Sequence, residues 1–210
     1  MTAWQFFLQH RQEILSATAS HLYLVLISMA IAIAIAVPLG MVIVQRPALR
    51  NISLGVASVF QTIPSLALFG FLLPIPFIGG IGPRTAIVAL VLYALLPILR
   101  NTYVGLAGID PAVLDAAEAM GMTPTQILFR VRLPLALSVI LAGIRTATVI
   151  TIGVATIAAA IGAGGLGTFI FRGVAMVSDP VILAGAVPAA LLALVADQLL
   201  AWLERRLKVV

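Results

Sequence analysis

Residues 22–44 run for 23 positions without a formal charge. At a rise of about 1.5 Å per residue, a helix of that length crosses the roughly 30 Å hydrocarbon core of a bilayer with some tilt. Gln45-Arg46-Pro47 then supplies a polar stop and a helix breaker. Stretches of the same kind recur along the chain. Of its 210 residues 62% are hydrophobic and only 9% are charged, more apolar surface than a soluble core of this size can hide. The expected fold is an all-α membrane protein with about five transmembrane helices and no separate soluble domain.

The second span is expected over residues 52–73, followed by a loop marked by Pro74, Pro76, Gly79, Gly80, Gly82 and Pro83. Residues 85–99 give only 15 positions between Arg84 and Arg100, so the third span must extend past both arginines, whose long side chains can snorkel to the headgroups. Residues 133–171 contain a single charge, Arg145. As one helix they would reach about 58 Å, too long for one crossing and too short for two with a turn. The glycines at 162, 164, 165 and 167 therefore mark the end of the fourth span. The fifth covers residues 181–202 and is closed by Glu204-Arg205-Arg206-Leu207-Lys208.

Ahead of the first span, Trp4, Phe7, Leu8, Arg11, Ile14 and Leu15 recur at helical spacing, which predicts an amphipathic helix in the membrane interface over residues 1–19, with the transmembrane domain over 20–210. A cleavable signal does not fit, because Arg11 and Glu13 fall where its apolar region would lie. Arg46, Arg50, Arg100, Arg130, Arg132, Arg205, Arg206 and Lys208 fall on one side of the five spans and Arg11, Arg84 and Arg172 on the other. By the positive-inside rule the N-terminus is outside and the C-terminus cytoplasmic.

Several chemistries are disfavoured. There is no cysteine for a disulfide, thiolate site or nucleophile, and the two histidines, His10 and His21, do not suggest a metal or proton-relay set. No metal site, catalytic residue or cofactor is expected within the chain. The net charge of +5 contains no basic run beyond Arg205-Arg206-x-Lys208, so nucleic acid is a poor candidate partner.

The longest hydrophilic interruption, residues 108–132, falls on the positive side. Asp110-Pro111 reads as an N-cap with proline in the first turn, and Gly121 fits the position just past that helix's end. Thr123-Pro124-Thr125-Gln126 offers a capping-box pair for a second helix presenting Ile127, Leu128 and Val131. A bare connection needs only a few residues. A rigid knob exposing Val113, Leu114, Ala117 and Met120 to water implies something to dock on.

Asp115-Ala116-Ala117, then Gly121, then Val131-Arg132-Leu133-Pro134 resembles the EAA signature of the membrane subunits of bacterial ABC importers, with Asp for Glu at the first position and Val for Ile before Leu-Pro. The resemblance implies a type I ABC importer transmembrane-domain fold in the bacterial cytoplasmic (inner) membrane. It makes residues 108–134 the coupling segment that seats in the ATPase subunit, through Asp115, Ala116, Ala117, Glu118, Gly121, Leu133 and Pro134. Gln61-Thr62-Ile63-Pro64-Ser65, Tyr93-Ala94-Leu95-Leu96-Pro97-Ile98-Leu99-Arg100 and Gly162-Ala163-Gly164-Gly165-Leu166-Gly167 are further similar to the permeases for glycine betaine, choline and carnitine. This implies an ABC ATPase dimer carrying the ATP and Mg, a second permease copy or paralogue, and a separate extracytoplasmic substrate-binding protein as partners, with membrane lipid around them. Pro64 cannot donate a backbone hydrogen bond, so a kink is predicted there, and Gln61, Thr62 and Pro64 are the candidates for the pathway or a gate. Arg145 must face protein or water rather than lipid, and Asp197 is its candidate partner in an intramembrane ion pair. The competing reading is a secondary transporter or channel acting without an ATPase; it would call for inverted repeats or several intramembrane carboxylates, and none is evident.

Overall fold

In the computed structural model, which describes residues 3–207, the chain folds as helices joined by short turns. The N-terminal helix α1 (Ala3–Gln9) turns at His10 into α2 (Arg11–Gln45), and α3 (Pro47–Thr62) and α4 (Ser65–Leu72) follow. Next come α5 (Pro83–Ala107), α6 (Pro111–Ala119) and α7 (Pro124–Ile127). A π-helical turn (Leu128–Arg132) carries α7 into α8 (Leu133–Ile157), which tightens into a 3₁₀ turn (Ala158–Ile161). Finally α9 (Gly167–Ala175) leads to α10 (Asp179–Leu207).

Helix α5 is the hub, packed between α2 and α8, with α3 also against it and α10 on the far side of α8. Its inner faces are built from small residues: Ala86, Ala89 and Ala94 are fully buried, as are Ala32 and Ala36 of α2 and Ala147 and Ala155 of α8. Lipid is as apolar as leucine, so helices in a membrane gain by close van der Waals approach rather than by hiding from water. Gly143 shows how close the approach is, since a Cβ there would stand 2.5 Å from Asn101 Cβ and 2.8 Å from the Pro97 carbonyl oxygen. The exposed leucines, isoleucines and valines of α2 and α10 form the outside of the bundle.

Two contacts fix the depth of the elements. At the arginine-rich end, Arg50 Nη1 of α3 donates to Tyr103 Oη of α5 at 3.0 Å, with its guanidinium carbon 5.6 Å from the ring centroid. At the opposite end, Gly82 N donates to Ile161 O at 2.9 Å, tying the loop before α5 to the end of α8. Thus α3 starts beside the C-terminus of α5, and the chain returns from α4 to its N-terminus. The α3–α4 pair is therefore one crossing, bent by 103° at its break, and with the four long helices it makes five spans.

One sequence expectation changes in extent, and two span boundaries fall where the charges and glycines put them. The interfacial helix over 1–19 is two pieces: α1 ends at Gln9, and residues 11–19 are the first turns of α2, one continuous rod of 35 residues. Phe6 of α1 and Ile14 of α2 are buried with Phe169, Val181 and Ala184, which anchors both on α9 and α10. The third span runs past both Arg84 and Arg100, as its short apolar stretch required. The fourth ends where the glycines begin, with Gly162 left-handed at φ +73°, but the following α9 has no counterpart in the sequence reading. Residues 1, 2 and Lys208 lie outside the described residues.

Candidate functional site

The knob between α5 and α8 is set by its caps. Asp110 accepts from Ala112 N at 2.9 Å, satisfying one of the donors that every helix start leaves open, and Pro111 occupies the first turn, where no intrahelical donor is needed. At the other end Gly121 N donates to Glu118 O at 2.8 Å and Met122 N to Ala117 O at 3.2 Å, a Schellman pair that requires Gly121 in the left-handed region at φ +79°. One residue later Thr123 and Gln126 exchange a capping box, with Thr123 N donating to Gln126 Oε1 at 2.8 Å and Gln126 N to Thr123 Oγ1 at 3.4 Å. The joint between α6 and α7 is thus two capped ends with no slack.

Beyond α7 the helix does not stop. Residues Pro124–Ile161 form one 38-residue rod through the π turn and α8. Pro134 lacks the donor that would reach Arg130 O, and the widened turn, in which Leu133 N bonds Leu128 O, accommodates it. Leu133 packs with Leu106, Leu128, Ala136 and Ile140, and Arg132 Nη1 donates to Leu106 O at 3.4 Å, so the base of the rod is fixed to the end of α5.

The exposed face of the knob differs from the sequence expectation. Asp115, Ala116, Glu118, Gly121 and Pro134 are exposed, and neither Asp115 nor Glu118 enters an ion pair among the described residues. Val113 and Met120 project into water, Met120 at 75% exposure. Ala117, by contrast, is buried, and Ile127 and Leu128 are buried instead of being presented: Leu128, in the π turn, packs with Leu106 of α5 and with Ala136 and Ile140 of α8. Glu118 borders a recess of about 240 Å³ together with Gln45, Pro124 and Arg132.

The second candidate cluster lies at the break between α3 and α4. Pro64 does more than kink the span: Ile63 (ψ 128°) and Pro64 (ψ 136°) are both extended, as a residue before proline favours, and α4 leaves nearly at right angles. Thr62 Oγ1 donates to Val59 O at 2.8 Å, and the Tyr93 hydroxyl, from the middle of the buried α5, donates to Ile63 O. An open carbonyl at membrane depth is thereby satisfied. Gln61 is half-buried, while Thr62 and Pro64 are exposed on the surface of the single subunit.

Arg145 of α8 and Asp197 of α10 meet in a forked contact, Nε to Oδ1 at 2.5 Å and Nη2 to Oδ2 at 2.8 Å. Glu204 adds Oε2 at 3.6 Å from Arg145 Nη1. The sequence reading missed Glu204, although seven residues past Asp197 is two helical turns and therefore the same face of α10. It also missed Tyr93 and the Arg50–Tyr103 tie, for which no local signal exists. Among the described residues no group of three or more His, Asp or Glu is placed to hold a metal ion.

Residues 28–209 match the family described as "Binding-protein-dependent transport system inner membrane component". Carnitine transport permease protein OpuCB of Listeria monocytogenes is 46% identical over 202 residues, covering 96% of this chain and 91% of the relative. Glycine betaine/carnitine/choline transport system permease protein OpuCD of Bacillus subtilis is 50% identical over 171 residues, 81% of this chain and 73% of the relative. Among solved structures, an inward-facing conformation of the MetNI methionine ABC transporter superposes with a TM-score of 0.83 at 25% identity, covering 92% of this chain and 95% of that one. On the fold, the extent of the match and these identities, the chain belongs to the binding-protein-dependent transport system inner membrane components, the permease subunits of ABC importers.

Proposed function

We propose that this chain forms, with a second copy or a paralogue, the translocation path of an ATP-driven importer for a small quaternary amine such as glycine betaine, choline or carnitine. The observation that carries the mechanism is the continuity of α6, the two-capped joint and the 38-residue rod. At 1.5 Å per residue that rod is about 57 Å long, enough to carry a displacement from one membrane face to the other. In this reading α6 docks at the cytoplasmic face on the ATPase subunit. Asp115 and Glu118 supply carboxylates for basic groups there, and the small Ala116 allows close backbone approach. ATP and Mg stay on the ATPase dimer, and this chain converts the dimer's closure into rigid-body motion. An extracytoplasmic binding protein delivers the solute to the opposite face, in the inner membrane of a bacterium.

The break at Ile63-Pro64 suits a pathway element: it is tied to Tyr93 in the middle of α5, and beside it Thr62 is exposed and Gln61 half-buried on the subunit. Arg145, Asp197 and Glu204 serve to lock α8 to α10. The substrate class rests on the names of the relatives. The test is reconstitution of the full chain in proteoliposomes with its ATPase and binding protein. ATP-dependent uptake of labelled glycine betaine, choline or carnitine is the expected result. Uptake that persists without the ATPase would overturn the reading in favour of a secondary transporter or channel.

A further inference from the structure

A cleft of about 500 Å³ opens between the first turns of α2 and the start of α9, at the arginine-poor end of the bundle. That volume lies in the range of small-molecule sites, roughly 300–1,000 Å³. Gln12, Ser16 and Ser20, spaced four apart on one face of α2, form one wall, and Gly164, Gly165 and Thr168 face them. Two charges of opposite sign line the same space, Glu13 from α2 and Arg172 from α9. Neither enters an ion pair among the described residues, and Arg172 lies over the Phe169 ring, its guanidinium carbon 6.0 Å from the centroid. A simple anion in this cleft would be attracted by one charge and repelled by the other, and so would a simple cation. A molecule carrying both signs satisfies both.

A second observation comes from behind the wall. His21 is fully buried, and its Nδ1 is the one buried side-chain nitrogen or oxygen among the described residues without a hydrogen-bond partner, although Nε2 lies 3.2 Å from Ile152 O. A Cβ at Gly165 would stand 3.1 Å from that Nδ1, so one thickness of backbone separates the cleft from an open polar group. Unpaired buried polar atoms are rare in packed proteins and call for a reason. The same glycine loop begins at Gly162, where the rod ends, so the wall of the cleft is continuous in chain with α8.

We propose that this cleft binds a small zwitterion, its anionic group at Arg172 and its ammonium at Glu13, Ser16 and Ser20. The binding claim stands on these residues, and only a role in transport rests on the importer reading. A free betaine and a zwitterionic lipid headgroup share this chemistry, and the experiment separates them. The full chain, in nanodiscs of phosphatidylglycerol alone, is titrated with glycine betaine. Saturable binding that Glu13→Gln and Arg172→Gln each weaken at least tenfold, and that acetate or tetramethylammonium does not displace, identifies a solute site. Absence of betaine binding, together with retention of phosphatidylethanolamine by the unaltered chain and its loss from both variants in native mass spectrometry, identifies a headgroup site. Both substitutions lie at exposed positions, and an unchanged unfolding midpoint verifies the fold. If neither ligand depends on Glu13 and Arg172, the proposal is wrong. ATP-dependent uptake by the assembled importer, measured in parallel, then shows whether the importer reading stands without it.

Discussion

Replacing Gly121 isolates the joint between α6 and the rod. The residue sits at φ +79° with nothing within 4 Å of the position a Cβ would take, so a Cβ there meets no steric obstacle within the subunit. The penalty is confined to the backbone: a left-handed non-glycine residue costs about 1–2 kcal/mol, while asparagine visits this region far more readily. Holding the joint together are the two hydrogen bonds of the Schellman pair, at 2.8 and 3.2 Å, each worth about 0.5–1.5 kcal/mol net. The strain is therefore comparable to what maintains the turn, and 1–2 kcal/mol shifts an equilibrium by about 5–30-fold toward a misdirected α6. Gly121→Val should cut ATP-dependent uptake by about that factor, Gly121→Ala somewhat less, and Gly121→Asn should retain most of it, with membrane insertion unchanged in all three. Uptake and ATP hydrolysis are measured on reconstituted complexes with equal amounts of permease. If Val and Asn behave alike, the left-handed turn does not govern the coupling geometry.

Tyr93→Phe removes the donor to Ile63 O at the break. Intramembrane hydrogen bonds average about 0.6 kcal/mol with a maximum near 1.7, so unfolding in mixed micelles should show a loss within that span, and no loss would mean the carbonyl has another partner. In α8, Gly143→Ala and Gly153→Ala form a matched pair. The first places a Cβ 2.5 Å from Asn101 Cβ, and overpacking of that kind costs about 1–3 kcal/mol, whereas the second meets nothing within 4 Å and should be neutral or slightly stabilising. Equal stabilities of the two variants would refute the close α5–α8 approach.

Local signals carried much of this fold. Asp110, Pro111, Gly121 and the Thr123–Gln126 box mark helix ends through bonds to backbone within a few residues, so the sequence alone suffices to place α6 and the start of α7. The charge-free stretches likewise place the spans, since the bilayer sets their length. What escaped depends on residues distant in the chain. Pro64 announces an interruption, but the right-angle departure of α4 is held by Tyr93, thirty positions away. Ile127 and Leu128 look like an exposed apolar edge, yet both are buried, Leu128 against Leu106 of α5. Helix α9 has no signal of its own, because the glycines at 162–167 announce only the end of the preceding span and the nine residues of Gly167–Ala175 are too few for a crossing. Its burial depends on the close approach of Gly173 to Ile182 and of Gly185 to the Leu166 carbonyl.

The most direct test uses the absence of cysteine in the chain, which leaves a clean background for a single introduced thiol. Met120→Cys places that thiol on the exposed face of α6, and the variant is reconstituted with its ATPase and treated with a short bifunctional cross-linker, with and without nucleotide. A permease–ATPase adduct through position 120, together with protection from a membrane-impermeant maleimide added outside intact cells, is the expected result. Labelling of position 120 from outside, or an ATPase that cross-links elsewhere and never there, would contradict the coupling role assigned to α6.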